Sequence, residues 1–285
     1  MNNKIITKAA FVLLWAAGAG CASASTAGPQ TPQEKPGPGP VDQVLEKLHK
    51  SILDLKSYQG QIEYKFIQPA LFDSQDLRKG AFYYAKEGNS SKLRVNFQTR
   101  KQDQEKEQKY LEQYIVLDGA LLNYAGHKFE GTWLVCVDYQ IEEVKYIQLA
   151  EPNEPNQPAD VFDLASQNMP IIGFGKIEEL KKQFEIQLVP QKQAEPSELI
   201  QLHLKVKPES IYKEDYTYLD LWIDKKINLP AKITAQTTEE DIYEIKFLQP
   251  TLNKAIDKKV FDFTMPKGFG EPEIIPLKEK EKDKQ

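Results

Sequence analysis

Residue types that could carry out acid–base, nucleophilic or metal chemistry are few in this sequence and widely spaced. The 285 residues include three histidines and two cysteines, and none of them shows the C-x-x-C or H-x-x-x-H spacing that brings metal ligands together. His203 alternates with apolar neighbours in a strand-like run, which predicts a solvent-facing position. The carboxylate runs Glu142–Glu143 and Glu239–Asp241 have no base or nucleophile near them in the sequence, so we interpret them as solvated. The sequence therefore predicts no catalytic residues, no metal and no cofactor. We expect a binding protein and not an enzyme.

The charge distribution argues against nucleic acid as a partner. The formal net charge is −5, and acidic and basic residues are interspersed instead of forming a basic stripe. One run of alternating charge, Lys278–Lys284, lies in the last residues of the chain. We interpret residues 273–285 as a solvated, charged tail.

The N-terminus has the pattern of an export signal. Two lysines precede an apolar core, Ala9–Ala17, that is too short to span a bilayer as a stable helix. Ala22-Ser23-Ala24 fits ordinary signal peptidase cleavage, which would remove residues 1–24 and release a soluble periplasmic protein. Gly18-Ala19-Gly20-Cys21 instead resembles a lipobox, in which residues 1–20 are removed and a lipidated Cys21 anchors the protein to a membrane. Both alternatives predict that the protein leaves the cytoplasm.

The rest of the chain divides into a linker and one domain. Residues 25–40 are rich in Pro, Gly and Ser and cannot bury enough apolar surface to fold. Residues 41–272 are long enough for a single domain with a sizeable core. This domain opens with a predicted helix, Val41–Ser57, whose apolar residues recur at steps of three and four and form one stripe. Asp160–Ser166 and Lys176–Gln183 have the composition of short mid-chain helices.

Between and after these helices the sequence predicts antiparallel strands joined by short turns. Leu199–Lys207 alternates strictly between apolar and polar residues, as a half-buried strand does. Asp118-Gly119 predicts a hairpin turn, Arg100–Lys109 a hydrophilic loop, and Val260–Thr264 a last strand that closes the sheet. We count about 10–11 strands, which makes the fold class α+β. A broad sheet with one apolar face must cover that face, close on itself or hold a ligand.

The order of these elements and several short motifs resemble the outer-membrane lipoprotein carrier family, the LolA-like proteins. The most specific match is Asn253 followed by Phe261–Gly268, which reads FDFTMPKG. Three shorter motifs agree with it in order and spacing: Leu53–Gly60, Val116–Gly119 leading to Tyr124, and Leu221–Asp224 with Leu229-Pro230. The resemblance covers most of Val41–Pro272.

The resemblance implies an antiparallel, incompletely closed β-barrel wrapped around the N-terminal helix and the short mid-chain helices. It also implies an apolar cavity that holds acyl chains. The apolar strand residues that would line this cavity, and that otherwise form the core, are Tyr64, Phe66, Phe82, Tyr84, Leu93, Val95, Phe97, Trp133, Leu219 and Leu221. One family feature does not carry over: carriers bear an Arg-Pro latch on the hairpin after the second strand, where this chain has Lys86–Asn89.

Two binding functions are therefore expected. The first is a cell-envelope protein that sequesters the acyl chains of lipids or lipoproteins, with a role in outer-membrane lipoprotein sorting. The alternative is a membrane-tethered envelope sensor or accessory lipoprotein that uses the same fold to dock a protein partner. Lipidation of Cys21 would favour the alternative, because a shuttle must be free to diffuse.

Overall fold

The computed structural model describes residues 39–87, 90–122, 124, 126–151, 177–190 and 198–276. The predicted signal, Cys21, the linker up to residue 38, the helix predicted at 160–166 and the tail beyond residue 276 lie outside these residues. The described chain contains two α-helices and twelve strands: α1 Pro40–Leu53, β1 Ser57–Gln68, β2 Ser74–Glu87, β3 Ser90–Gln102, β4 Gln108–Asp118, β5 Thr132–Asp138, β6 Glu143–Ala150, α2 Ile177–Gln183, β7 Phe184–Leu188, β8 Leu199–Val206, β9 Tyr216–Asp224, β10 Pro230–Thr237, β11 Ile242–Leu252 and β12 Glu273–Ile275.

Helix α1 forms where the apolar stripe predicted it, and it ends at Leu53 instead of Ser57. Pro40 occupies the first turn, where its missing N–H costs no hydrogen bond. The Gly39 N–H donates to Asp42 Oδ2 at 3.2 Å, which satisfies one free donor of the helix start. The stripe residues Leu45, Leu48 and Ile52 are buried.

All twelve strands belong to one sheet in the order β12-β6-β5-β4-β3-β2-β1-β11-β10-β9-β8-β7. Neighbouring strands are antiparallel except β12, which pairs with β6 in parallel. The two edge strands, β12 and β7, do not pair with each other, so the sheet is not closed by hydrogen bonds. The predicted α+β fold with an incompletely closed antiparallel barrel is thus confirmed. Strand β12 lies just beyond residue 272, where we expected the domain to end.

One face of the sheet surrounds helix α1, and we call it the inner face. Its main apolar cluster joins the α1 stripe to buried side chains from β1 to β11, among them Phe82, Leu93, Leu221 and Ile245. Burial of this much apolar surface is the main stabilising contribution to such a fold. The inner face is therefore the hydrophobic core of the domain.

The opposite, outer face carries a second apolar cluster over β4, β5 and β6. The C-terminal segment 258–275 covers it with Phe263, Met265, Phe269 and Ile274. Arg94 on β3 holds this segment by donating to the carbonyl oxygens of Val260 and Asp262 at 2.8 and 2.9 Å. The prediction that Val260–Thr264 is a strand of the sheet is therefore wrong. Lys258–Phe261 forms a 3-10 turn instead.

Two local predictions also differ from the structure. The loop predicted at 100–109 is shorter, residues 103–107, because β3 runs to Gln102 and β4 begins at Gln108. Asp118-Gly119 does not form a two-residue hairpin turn. The Asp118 carboxylate accepts from Ala120 N at 2.9 Å and caps a 3-10 turn, Gly119–Leu121, that opens a longer connection to β5.

Candidate functional site

Nine of the ten residues expected to line a cavity lie on the inner face. Seven of them are at most 6 % exposed and are packed in the same cluster as α1: Phe82, Tyr84, Leu93, Val95, Phe97, Leu219 and Leu221. Tyr64 and Phe66 are half-buried. Alternation along the strands brings these side chains to one face, as predicted.

Trp133 is the exception, because it lies on the outer face. It packs in the second cluster, with its ring edge-on to Phe129 at 5.1 Å. Its indole N–H donates to the carbonyl of Glu130 at 2.8 Å. Its strand neighbour Leu134 points inward instead. We correct the placement of Trp133 accordingly: the sheet is apolar on both faces at β5, and alternation alone does not say which residue faces in.

The two half-buried residues of this set, Tyr64 and Phe66, lie towards the end of the sheet where β1 ends and β2 begins. We call this end of the inner face the mouth. Here Phe66 stacks on Tyr243 with ring centroids 4.9 Å apart, and Tyr64 lies 6.2 Å from Tyr243. Tyr64 in turn lies 6.0 Å from Phe97, which is part of the buried cluster. The aromatic rings thus run without a break from the mouth into the core.

A charged cluster lies beside these rings on the same face. Arg78 on β2 donates to Glu112 on β4 at 2.6 Å and to Asp76 at 3.2 Å. Arg100 also binds Asp76, at 2.8 Å. The Tyr114 hydroxyl donates to the other oxygen of Glu112 at 2.9 Å. Two cations face two carboxylates, so the cluster of Arg78, Arg100, Asp76 and Glu112 is formally neutral.

The strand register explains why these groups meet. Tyr64 pairs with Arg78 across β1 and β2, and Phe97 pairs with Glu112 across β3 and β4. Paired residues point to the same face. The guanidinium of Arg78 lies over two tyrosine rings, 5.7 Å from that of Tyr64 and 5.2 Å from that of Tyr110. These contacts favour a cation in a partly desolvated position.

Burial shifts the pKa values in this cluster. It raises the pKa of Glu112 more than Arg78 and the Tyr114 hydrogen bond lower it. Burial opposes the charge of Arg78, but the neighbouring Glu112 raises the pKa of the guanidinium above its usual value. Burial also raises the pKa of Tyr64 and Tyr114. Both tyrosines therefore stay neutral, and the cluster offers hydrogen bonds and fixed charges but no activated nucleophile.

Sequence reasoning missed this charged cluster. The apolar runs that indicate these two strands in the sequence begin at Gly80 and Gln113, so Arg78 and Glu112 lie just outside them. A signal was present, because Asp76 and Arg78 precede the apolar alternation of Phe82 and Tyr84. Opposite charges in phase with an apolar strand face can indicate a buried pair.

The inner-face side chains pack with α1 in one buried apolar cluster. Two open pockets, of about 370 and 170 Å³, lie elsewhere, and neither is lined by any of the ten expected residues. The larger one lies under the β4–β5 connection, between Asp118 and Gly131. The inner face is thus filled by its own side chains and by α1.

The other candidate residues do not assemble into a reactive site. Cys136 is a free, buried cysteine that packs in the core as a small apolar residue. His203 is on the outer face, with Nδ1 2.9 Å from Asp220 Oδ1 and 34 % of its side chain exposed. Within the described ranges, no three His, Cys, Asp or Glu side chains are grouped so that they could hold a metal ion. Those ranges also contain no helix with the length and apolarity needed to cross a membrane.

Comparison of the sequence with protein-family models gives no match. Comparison with curated proteins gives none either. Comparison of the structure with solved structures gives matches, and the three described next are at 12 % sequence identity.

One is the Pseudomonas aeruginosa MucA/MucB complex, at 12 % identity and a TM-score of 0.42, with 78 % of this chain and 60 % of that chain covered. A crystal structure of MucB matches at 12 % identity and a TM-score of 0.46, covering 81 % of this chain and 65 % of that one. A LolA superfamily protein from Nitrosomonas europaea matches at 12 % identity and a TM-score of 0.32, covering 78 % and 96 %.

The similar structures thus include a member of the LolA superfamily, the family that the sequence motifs resemble. The match spans less than two thirds of the MucB chains. Because the TM-scores lie below 0.5 and the identity is 12 %, neither fold nor ligand is argued from these similarities.

Proposed function

We propose that this protein is exported to the cell envelope and binds the acyl chains of lipids or lipoproteins on its inner face, without covalent chemistry. The observation that supports this most is the unbroken run of rings from Phe66 and Tyr243 at the mouth to Phe97 in the core. Aromatic and aliphatic side chains offer large apolar contact to a lipid tail. The run of rings is half-buried at the mouth and buried in the core, which suits an acyl chain that enters from the mouth.

Because the inner face is filled, acyl binding requires α1 to move away from it. Uncovering Leu45, Leu48 and Ile52 costs roughly 5–9 kcal/mol, at about 1.5–3 kcal/mol for each side chain. An acyl chain gains about 0.8 kcal/mol for each buried methylene. About 6–11 methylenes therefore offset the loss of α1, which the acyl chains of membrane lipids exceed.

The polar contacts of α1 suit a helix that can be displaced. Its ion pair, Asp42 with Lys181 at 2.8 Å, has both side chains more than a third exposed, so it contributes little. The chain just after α1 is fixed to the sheet instead. Lys56 N donates to Asn253 Oδ1 at 2.7 Å, and Ser57 Oγ donates to the carbonyl of Lys254 at 2.6 Å. The helix can thus pivot at residues 53–54, ahead of these contacts, while β1 stays in place.

Native mass spectrometry of the protein, isolated from a bacterial envelope without detergent, tests this proposal. A mass excess equal to an acyl-bearing lipid, together with uptake of a fluorescent fatty acid, is the expected result. A clean mass and no uptake would refute acyl binding.

A pair of matched variants locates the site. Phe66→Ala at the mouth should weaken uptake of the probe several-fold, because Phe66 is the outermost ring of the run. Trp222→Ala is the control, since Trp222 is also a half-buried aromatic residue but lies on the outer face, beneath Lys232 Nζ. Equal effects of the two variants would exclude the mouth as the route.

Docking of a protein partner is the second candidate, and the filled inner face favours it. Side chains already packed against α1 need no ligand to be stable, so the fold can serve as a docking module on its own. A membrane tether at Cys21, which lies outside the described residues, would fit this function. A clean mass without uptake of the fatty acid would favour docking over sequestration.

A further inference from the structure

The exposed apolar side chains are concentrated at the mouth end of the sheet. Of the seven large apolar residues that are exposed in the described part of the chain, four lie on turns at this end: Leu71 at 55 %, Phe72 at 102 %, Ile141 at 52 % and Ile211 at 68 %. Neighbouring strands are antiparallel, so the β1–β2, β5–β6 and β8–β9 turns that carry them share one end. We call these four residues the apolar tips.

The β1–β2 turn holds its tip in a strained but fixed conformation. Phe72 and Asp73 both have left-handed backbones, with φ of 56° and 57°, which bulky side chains adopt only at a cost. Gln75 N donates to Asp103 Oδ1 at 2.6 Å, and Asp103 N donates back to the carbonyl of Gln75 at 2.8 Å. The neighbouring β3–β4 turn thus braces this one. The strained turn leaves the Phe72 ring fully exposed to water. This indicates that Phe72 has a role other than packing in the core.

The tips are set among carboxylates. The five turns at this end, residues 69–73, 103–107, 139–142, 207–215 and 238–241, contain eleven Asp and Glu residues and three lysines. At the other end, the β9–β10 turn carries two lysines and no acid. An apolar surface bordered by an excess of carboxylates favours a partner with the opposite charge. A bilayer with anionic lipids would be repelled.

We propose that the apolar tips form a docking surface for a basic, amphipathic segment of a protein partner, whose apolar residues contact Phe72 and whose Lys and Arg side chains face the surrounding carboxylates. The tips lie beside the mouth, so the partner sits where the inner face opens. This inference specifies the docking function above and does not require acyl binding.

Binding of a synthetic helical peptide tests the proposal. The probe is an amphipathic peptide of leucines and lysines, and the full chain is titrated against the labelled peptide in a fluorescence anisotropy assay. We expect binding that weakens as salt is added. The matching peptide of leucines and glutamates should not bind. Failure of the Leu/Lys peptide to bind, or equal binding of both peptides, would overturn the proposal.

Two variants place the contact. Phe72→Asn should weaken binding about tenfold or more and leave the midpoint of thermal unfolding unchanged or higher, because Asn tolerates the left-handed backbone. The double change Asp73→Asn and Glu240→Gln, at two exposed acids of adjacent turns, should weaken binding and its salt dependence. The controls are Leu53→Ser, exposed by 59 % at the opposite end, and Glu198→Gln.

The proposal is overturned if Leu53→Ser or Glu198→Gln weakens binding of the Leu/Lys peptide as much as the variants at the mouth end do. Binding to vesicles of phosphatidylcholine and phosphatidylethanolamine that needs Phe72, with no binding of the Leu/Lys peptide, would assign the tips to a bilayer instead. Fatty-acid uptake is measured on the same variants. Normal uptake with no peptide binding would refute docking alone, and peptide binding with no uptake would refute acyl sequestration alone.

Discussion

Replacing Arg78 by methionine tests whether the charged cluster at the mouth is a buried, coupled unit. Methionine keeps most of the apolar stem and removes the charge. Arg78 and Glu112 are 16 % and 9 % exposed and lie 2.6 Å apart, and loss of one partner of a buried pair costs about 3–5 kcal/mol. In the variant, Asp76 still pairs with Arg100, and Glu112 still accepts a hydrogen bond from the Tyr114 hydroxyl. We therefore expect a loss near the lower limit, about 3 kcal/mol in the free energy of unfolding.

The adjacent residue provides a matched control. Lys79 pairs with Glu107 at 3.0 Å, but these side chains are 40 % and 39 % exposed. Lys79→Met should therefore cost less than about 1 kcal/mol. Urea unfolding at neutral pH, followed by circular dichroism, compares the two variants with the parent protein. High salt should remove the small effect of Lys79→Met and leave most of the effect of Arg78→Met.

The pH dependence provides a second test. Burial already raises the pKa of Glu112 in the folded protein, and loss of Arg78 raises it further. A carboxyl group with a raised pKa in the folded state takes up its proton there first, so falling pH restores stability. The cost of Arg78→Met should shrink between neutral pH and about pH 5. The interpretation of a buried pair is wrong if Arg78→Met and Lys79→Met lower the free energy of unfolding equally. It is also wrong if the loss caused by Arg78→Met grows as the pH falls.

Three further predictions concern the C-terminal segment 258–275, the buried Cys136 and the predicted lipid anchor at Cys21. Arg94→Gln removes the bonds to the carbonyls of Val260 and Asp262 and should cost about 2 kcal/mol, with faster amide exchange in residues 258–275; exchange that stays slow would contradict this. Burial raises the pKa of Cys136 from 9.0 to about 12, so above pH 9 the unfolded thiol loses its proton first and stability falls. Cys136→Ala should make that fall shallower in alkaline urea titrations, and an unchanged slope would count against it. Cys21→Ser should release the protein into the soluble periplasmic fraction, and a parent protein that is already soluble would rule out the anchor.

Local sequence patterns predicted the elements well where periodicity and burial agree. The stripe of Leu45, Leu48 and Ile52 predicts α1 because only a helix brings residues at these steps to one side. Leu199–Lys207 predicts β8 because alternation fixes the two faces of a strand. The limits of the elements depend on tertiary pairing: α1 ends at Leu53 because Ser57 already pairs with Ala85 in the sheet. That pairing depends on residues far along the chain.

The placement of Trp133 and Val260–Thr264 shows what local patterns lack. In the run from Trp133 to Val137 every residue is buried, so alternation cannot say which residues face α1. The outer face of β5 is covered in part by Phe263 and Met265, which lie more than a hundred positions later in the chain. The same β-forming composition that predicted a closing strand at Val260–Thr264 serves here as a cover for the sheet.

The sequence by itself determined the helix, most of the strands and the fact that one strand face is apolar, because these follow from the repeat of neighbouring residues. The tertiary structure alone decided which apolar face surrounds α1, and that α1 fills it. It also decided that Arg78 meets Glu112, 34 residues away, and that four apolar tips share one end of the sheet. The reason is that strand order and register bring together groups from distant parts of the chain, and no local pattern encodes that pairing.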